Sequence, residues 1–213
     1  MRRPLCLVAM TALALTSVAM ANDIKWDNNI ISNGINGRAV SPPGFPDIRV
    51  ADDFRLGSDN VIKDAHFGMI EDGGWTDGGL LEVTFYANVN NLPGAVVAQR
   101  SGAFDKMATG RQLFGRNEFH YWIEFDGVAL DAGSYFVQVR NPLGGGAGTN
   151  YWLTSDGGPD GMGTPDGVFS LDAGNTWTSE GAGWQHAFEL TPAPGALALF
   201  GMAGLMAGRR RRR

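Results

Sequence analysis

Apolar and polar residues alternate one by one in several short runs between residues 48 and 190. The runs are residues 48–56, 81–87, 119–125, 135–140 and 184–190. Leu81, Val83 and Phe85, for example, alternate with Glu82 and Thr84. Successive side chains of a β-strand point to opposite faces, so each run predicts a strand. No long stretch with a helical period accompanies them.

Turn-forming residues separate these runs. Asp-Gly and Gly-Gly combinations occur at residues 72–74, 77–79, 126–127 and 156–158. Pro93-Gly94 favours a type II turn. Many short strands at near-regular spacing predict an all-β fold, an antiparallel β-sandwich with jelly-roll-like topology. A single closed barrel is the alternative. Residues 22–191 suit one domain of this kind.

The first 21 residues have the layout of a secretory signal peptide. Arg2 and Arg3 precede an apolar run, and Ala19 and Ala21 are the small residues that a signal peptidase reads. Cys6 is the only cysteine of the chain and lies in this segment. Cleavage would leave no thiol for disulfides, zinc sites or nucleophilic catalysis. An uncleaved N-terminal anchor is the alternative.

Residues 192–213 form a second segment that differs from the body. The order is Pro192, Ala193, Pro194 and Gly195, an apolar stretch over residues 196–207, and then Arg209, Arg210, Arg211, Arg212 and Arg213. The stretch is shorter than the roughly 20 residues of a relaxed spanning helix. Terminal arginines would nevertheless hold it at the cytoplasmic side of the inner membrane. A basic tail that binds nucleic acid is the alternative.

This tail resembles the PEP-CTERM sorting signal, which combines Pro-x-Pro, a short hydrophobic helix and a terminal arginine cluster. The family typically has Glu where this sequence has Ala193. The resemblance implies processing by an exosortase near residues 192–195 in a Gram-negative bacterium. It also implies association with extracellular polysaccharide or biofilm. The body likewise looks like the unassigned secreted sandwich domains that often precede such tails.

Removing both terminal segments makes the remaining chain strongly acidic. Seven of the 17 basic residues lie in those segments, whereas all 22 acidic residues lie between them. The body therefore carries 12 more acidic than basic residues. This imbalance argues against nucleic acid or anionic lipid as a partner of the body.

The body lacks the common catalytic motifs. There is no Gly-x-Ser-x-Gly elbow, no HExxH and no phosphate-binding glycine loop. His66, His120 and His186 lie far apart in sequence, and a core or rim position is the preferred interpretation of His186. Glu124 and Asp126 share one strand face, as glycosidase carboxylates do, but position 128 is valine. We interpret them as solvent-facing residues before an Asp-Gly turn.

Two binding sites are compatible with the sequence. Asp156, Asp160 and Asp166 lie in one glycine-rich loop and could bind calcium through hard oxygen ligands, although Asp-Gly turns give the same composition without a metal. Asp52 is a second candidate. Trp75 is the tryptophan that we expect to be most exposed, and a sugar ring could stack on it. Core positions are the alternative for each tryptophan.

The sequence thus predicts an exported, non-enzymatic protein of the cell surface or extracellular matrix, with a structural or adhesive role. A carbohydrate-binding module is the alternative, and a glycoside-active enzyme is the third candidate. The expected partners are the secretion machinery with its signal peptidase, an exosortase, the inner membrane through the tail, and extracellular polysaccharide.

Overall fold

The computed structural model describes residues 25–31, 36–40, 47–161, 164–181 and 183–192. The predicted signal segment and tail residues 193–213 lie outside these ranges. The elements are β1 (Trp26–Asp27), β2 (Gly37–Ala39), β3 (Arg49–Leu56), β4 (Asn60–Glu71), β5 (Trp75–Thr76), β6 (Leu81–Val89), β7 (Leu92–Gly102), β8 (Asp105–Leu113), β9 (Arg116–Leu130), β10 (Gly133–Arg140), β11 (Gly145–Gly146), β12 (Asn150–Ser155), α1 (Gly158–Gly161), β13 (Val168–Ser170), β14 (Thr178–Ser179), β15 (Gln185–His186) and β16 (Phe188–Pro192). Within the described ranges, no helix has the length and apolar character needed to cross a membrane.

The strands form two main antiparallel sheets. In the larger sheet, the long strand β4 pairs with β9 on one side, and with β16 and β12 on the other. Strand β8 adds to β9, and β1 adds to β16. The smaller sheet has the order β14-β13-β3-β10-β6-β7. A short pair, β11 and β5, lies apart from both. The predicted all-β, antiparallel sandwich-like fold is confirmed.

The core lies between the two sheets and explains why the alternating runs became strands. Phe54 and Phe85 of the smaller sheet are fully buried, as are Phe67, Tyr121 and Phe188 of the larger sheet. All five belong to one continuous cluster. Burying a side chain of this size contributes about 1.5–3 kcal/mol, so the shared cluster holds the sheets face to face.

The hairpin between β6 and β7 differs from the sequence-based expectation. Pro93 and Gly94 do not form a turn but lie within β7, where Pro93 is paired with Asn88. The turn residues are Asn90 and Asn91, with φ of 55° and 62°. Two consecutive positive φ angles define the tight hairpin turn that matches the twist of paired strands, and Asn tolerates them.

Two other boundaries were also predicted wrongly. Asp126-Gly127 is not a turn, because β9 continues through it to Leu130 and pairs with the start of β4. The run 184–190 is not one strand either. It changes partner at Ala187, so that β15 pairs with β12 and β16 pairs with β4.

Pro192 belongs to the last strand and not to a segment apart from the body. It is aligned with Ile62 of β4, next to a register shift between Thr191 and Pro192. Proline is tolerated at such an irregularity because no ladder hydrogen bond from its nitrogen is needed. Strand β16 thus ends at Pro192, the first residue of the predicted sorting segment.

Candidate functional site

The outer face of the larger sheet carries two of the three histidines. Phe67 and Tyr121 point into the core from β4 and β9. Alternation then places His66 and His120 on the opposite face. Antiparallel pairing aligns His66 with Trp122 and His120 with Gly68, so the two imidazoles are diagonal neighbours. We call the region formed by Asp64, His66, His120, Trp122 and Glu189 the histidine face.

His66 stands between two hydrogen-bonding partners on the histidine face. Its Nδ1 lies 3.0 Å from Nε2 of His120, and its Nε2 lies 2.7 Å from Oδ2 of Asp64. A carboxylate accepts only, so His66 donates to Asp64 through Nε2, and its Nδ1 accepts a hydrogen bond from Nε2–H of His120. Gly68, which is aligned with His120, carries no side chain, and Ile30 and Ala187 pack where one would lie.

The surroundings of this pair are acidic and only partly open to water. The side chains of His66 and Asp64 retain 21% and 15% exposure. Burial, together with the neighbouring His66, lowers the pKa of His120. Burial, followed by the charge of Asp27, raises the pKa of Glu189, which is aligned with His66 from β16. The histidine face thus places two imidazole rings within a group of carboxyl groups.

The histidine face is better suited to binding a metal ion or a proton than to covalent catalysis. A neutral imidazole offers a nitrogen ligand, and a histidine–carboxylate pair fixes its tautomer. Among the described residues, no group of three or more His, Cys, Asp or Glu side chains is arranged to hold a metal ion. The histidine face therefore offers two closely spaced imidazole nitrogens and does not surround an ion with protein ligands.

A second polar group lies inside one end of the sandwich and has a structural role. Asp52 is fully buried and accepts hydrogen bonds from the side chain of Asn28 and the backbone of Asp53 and His186. Burial raises the pKa of Asp52 well above its ordinary value. Because Asp52 is on β3 and His186 is on β15, these bonds link the two sheets. We therefore interpret Asp52 as a sheet-linking residue and not as a calcium ligand.

His186 lies next to this group and is fully buried, as the sequence indicated. Its ring stacks on Trp152, with 4.7 Å between the ring centroids. Its Nε2 is 4.0 Å from Glu180, but that carboxylate is bound by Arg38. Burial, together with the charge of Arg38, lowers the pKa of His186 to about 3. The imidazole is therefore neutral, and its contact with Glu180 is not an ion pair.

Trp75 is not the exposed platform that the sequence suggested. It retains only 8% exposure. A Cβ atom on Gly144 would lie 2.4 Å from its ring, so the glycine-rich loop covers it closely. The surrounding polar residues form ion pairs, because Lys106 contacts Glu71 and Asp77. The expectation of exposure failed because the loop at Gly144 folds over this side of β5.

None of the other tryptophans is exposed either. Trp26 and Trp152 are buried. Trp122, Trp177 and Trp184 are half-buried, and Trp177 packs against Tyr86. Aromatic stacking of a sugar needs an accessible ring face, and these side chains use much of their surface within the protein.

The three aspartates of the predicted calcium loop have separate local partners. Asp160 accepts a hydrogen bond from the backbone of Asp27, and Asp156 accepts one from the side chain of Asn29. Asp166 lies 3.4 Å from the hydroxyl of Ser179. Asp156 and Asp160 thus tie the loop to the segment 25–31 and Asp166 ties it to β14, and calcium binding at the three stays a prediction from sequence.

The carboxylates considered for glycoside chemistry are both accessible. Glu124 and Asp126 are exposed on β9, and Glu124 is aligned with Asp64 of β4. Their solvent-facing positions agree with the preferred interpretation from sequence, although no turn follows them. The sorting residues 193–195 and 209–213, and the cleavage residues Ala19 and Ala21, lie outside the described residues.

Comparison with known proteins adds no relative from which a site could be transferred. No protein-family model matches this chain, and no curated protein matches it significantly. Functional inference therefore depends on the residues themselves.

Proposed function

We propose that this protein is an exported structural or adhesive component of the cell surface or extracellular matrix of a Gram-negative bacterium. The observation that carries the proposal is the order of three segments. A signal-peptide-like segment precedes an acidic body without cysteine, and an apolar stretch with five terminal arginines follows. We include in the proposal a jelly-roll-like topology, a helix in each terminal segment and processing by an exosortase-type enzyme.

The packing of the body supports a structural role over sugar stacking. The buried tryptophan side chains and the hydrogen-bonded carboxylates of the loops make contacts within the protein. Its loops are fixed by side-chain caps such as Asp172, whose pKa is lowered to about 2 by hydrogen bonds from Thr176 and Ser170. A rigid, strongly acidic module of this kind suits a hydrated matrix rich in cations.

Mass spectrometry of the exported protein tests the sorting part of the proposal. The full chain is produced in a Gram-negative host that contains an exosortase, and the cytosol, membrane, surface and medium are sampled. We expect a new N-terminus at Asn22 and a C-terminus near residues 192–195. A variant without Arg209–Arg213 is the matched control and should remain unprocessed. A surface protein that still ends in Arg213 would contradict processing, and retention in the cytosol would contradict export.

A glycan array separates the remaining candidates. The exported protein is applied with and without calcium. We expect no strong binding to any individual sugar and no sugar turnover. Retention on one polysaccharide class would instead favour the carbohydrate-binding alternative, and hydrolysis that is lost in Glu124→Gln would favour the enzyme.

A further inference from the structure

We propose that His66 and His120 form a binding site for a divalent transition-metal ion on the histidine face. Their facing nitrogens, Nδ1 of His66 and Nε2 of His120, are 3.0 Å apart. Imidazole nitrogens bind zinc at about 2.0–2.1 Å, so two of them on one tetrahedral ion are about 3.3 Å apart. To accept an ion, the pair opens by a few tenths of an ångström, and the proton that Nε2 of His120 donates to His66 moves to Nδ1 of His120.

Asp64 prepares His66 for this role. Its carboxylate lies 2.7 Å from Nε2 of His66, on the side of the ring away from His120. A histidine ligand commonly donates its second N–H to such a carboxylate, which orients the ring and makes the ligating nitrogen more basic. Thr191 donates a hydrogen bond to the same carboxylate oxygen at 3.3 Å and helps to fix it. Nδ1 of His66 is therefore the nitrogen left for the metal.

The backbone holds the two ligands in place. His66 and His120 are in the central strands β4 and β9, whose pairing extends from Asn60↔Leu130 to Glu71↔Asn117. The segment at Ile30 packs closely on this part of β4, since a Cβ at Gly68 would lie 2.8 Å from the carbonyl oxygen of Ile30 and 2.9 Å from Cβ of Ala187. Ligands on rigid paired strands keep their separation better than ligands on loops.

The site has two protein nitrogens and open positions for water. Met107 of β8 is aligned with His120 and is 56% exposed, so its thioether is on the same face. Imidazole with thioether nearby favours copper over the hard cations magnesium and calcium. The Irving–Williams order then predicts that Cu²⁺ binds more tightly than Zn²⁺. The acidic body adds a general attraction for cations.

Titration calorimetry with Cu²⁺, Zn²⁺ or Ca²⁺ alone tests the site. The full chain is purified in mild detergent with an affinity tag that contains no histidine. We expect one Cu²⁺ per chain, weaker Zn²⁺ binding at the same stoichiometry, and no heat from Ca²⁺. Electron paramagnetic resonance of the Cu²⁺ complex should show nitrogen coupling from two imidazoles.

Variants separate this site from non-specific attraction to an acidic surface. His120→Gln should weaken Cu²⁺ binding by at least about tenfold, and Asp64→Asn should weaken it by about 10–100-fold. Asp126→Asn removes the same charge from an exposed position and should leave affinity within about twofold. Met107→Leu should weaken Cu²⁺ binding more than Zn²⁺ binding if the thioether contributes. Circular dichroism without metal verifies that each variant is folded.

Two results would overturn the proposal. Binding that is equally strong in folded His120→Gln would place the metal elsewhere. A spectrum without imidazole nitrogen coupling, or no binding at all, would mean that His66 and His120 form only a hydrogen bond. Neither result would affect the proposed export and surface role, which depends on the terminal segments.

Discussion

The imidazole of His186 is fully buried, and no described residue hydrogen-bonds either ring nitrogen. Contact with Trp152 is its main stabilising interaction. An unpaired polar ring in a core is costly, and protonating it there is costlier still. The pKa of about 3 reflects this, since an exposed histidine has a pKa near 6.5. A buried histidine whose pKa is lowered by folding makes the free energy of unfolding depend on pH.

We expect His186→Phe to reduce the acid sensitivity of the fold. Between pH 6.5 and about 3 the unfolded chain binds a proton at position 186 and the folded chain does not, so stability falls as the pH falls. The difference is on the order of 4 kcal/mol across that range. Phenylalanine keeps the stack on Trp152 and cannot bind the proton.

Urea unfolding of both proteins at several pH values measures the effect. The free energy of unfolding of the variant, relative to that of the wild type, should rise steadily as the pH is lowered from 7 to 4. Leu171→Phe, at an exposed position without a titratable group, serves as the control. Parallel pH profiles for the wild type and His186→Phe would show that His186 is not the group responsible.

At the level of the elements, period-two alternation was sufficient to predict strands β3, β6, β9 and β10. It missed β4, the central strand of the larger sheet, because a register shift between Ile62 and Asp64 interrupts the alternation. It also missed β8, where nearly every residue is exposed and no apolar face is required. Alternation detects a strand only where one face is regularly buried.

The Asp126-Gly127 error shows how a local turn signal can be overridden. Gly127 continues β9, and a Cβ at this position would lie 2.5 Å from Cγ1 of Val61. This glycine therefore leaves room for the side chain of Val61 on the neighbouring strand and does not form a turn. Sequence alone does not distinguish these uses of glycine, because the neighbour Val61 is 66 positions away.

We expect Gly127→Ala to destabilise the fold by about 1–3 kcal/mol, because the added methyl group overlaps Val61. The double variant Gly127→Ala with Val61→Ala should recover most of that loss, since it removes the overlapping group. Gly57→Ala is the matched control, because a Cβ at Gly57 meets no atom within 4 Å. Thermal and urea unfolding give the free energies of the cycle. Absence of recovery in the double variant would exclude this steric explanation.

At the level of the whole molecule, sheet pairing decides which distant residues meet, and the sequence alone does not show that pairing. His66 and His120 are 54 positions apart and come together only through the register of β4 and β9. The alternation of apolar and polar residues over residues 119–125 placed His120 on the polar face of its strand. This was the one feature of the sequence that pointed to the pair. The interaction of Arg38 with Glu180 spans 142 positions and had no signal at all.

That pair joins β2 of the larger sheet to the segment after β14 of the smaller sheet. Arg38 donates through Nε to Glu180 at 2.7 Å, and the carboxylate side chain has no solvent exposure. The guanidinium of Arg38 also lies 4.1 Å from the ring centroid of Phe169 in β13. A buried carboxylate that loses its only cation is strongly destabilising, whereas an apolar pair of similar volume can replace the ion pair at little cost.

We therefore expect Arg38→Met to destabilise the protein by about 3–5 kcal/mol, because Glu180 is left charged and buried. The double variant Arg38→Met with Glu180→Leu should be closer to the wild type than Arg38→Met alone. Arg55→Met changes an exposed arginine of β3 and controls for the loss of one positive charge. Urea unfolding at pH 7 of the wild type, Arg38→Met, Glu180→Leu and the double variant gives the four free energies of the cycle. If the two single losses simply add in the double variant, the buried pair does not couple the two sheets, and the hydrophobic core alone holds them together.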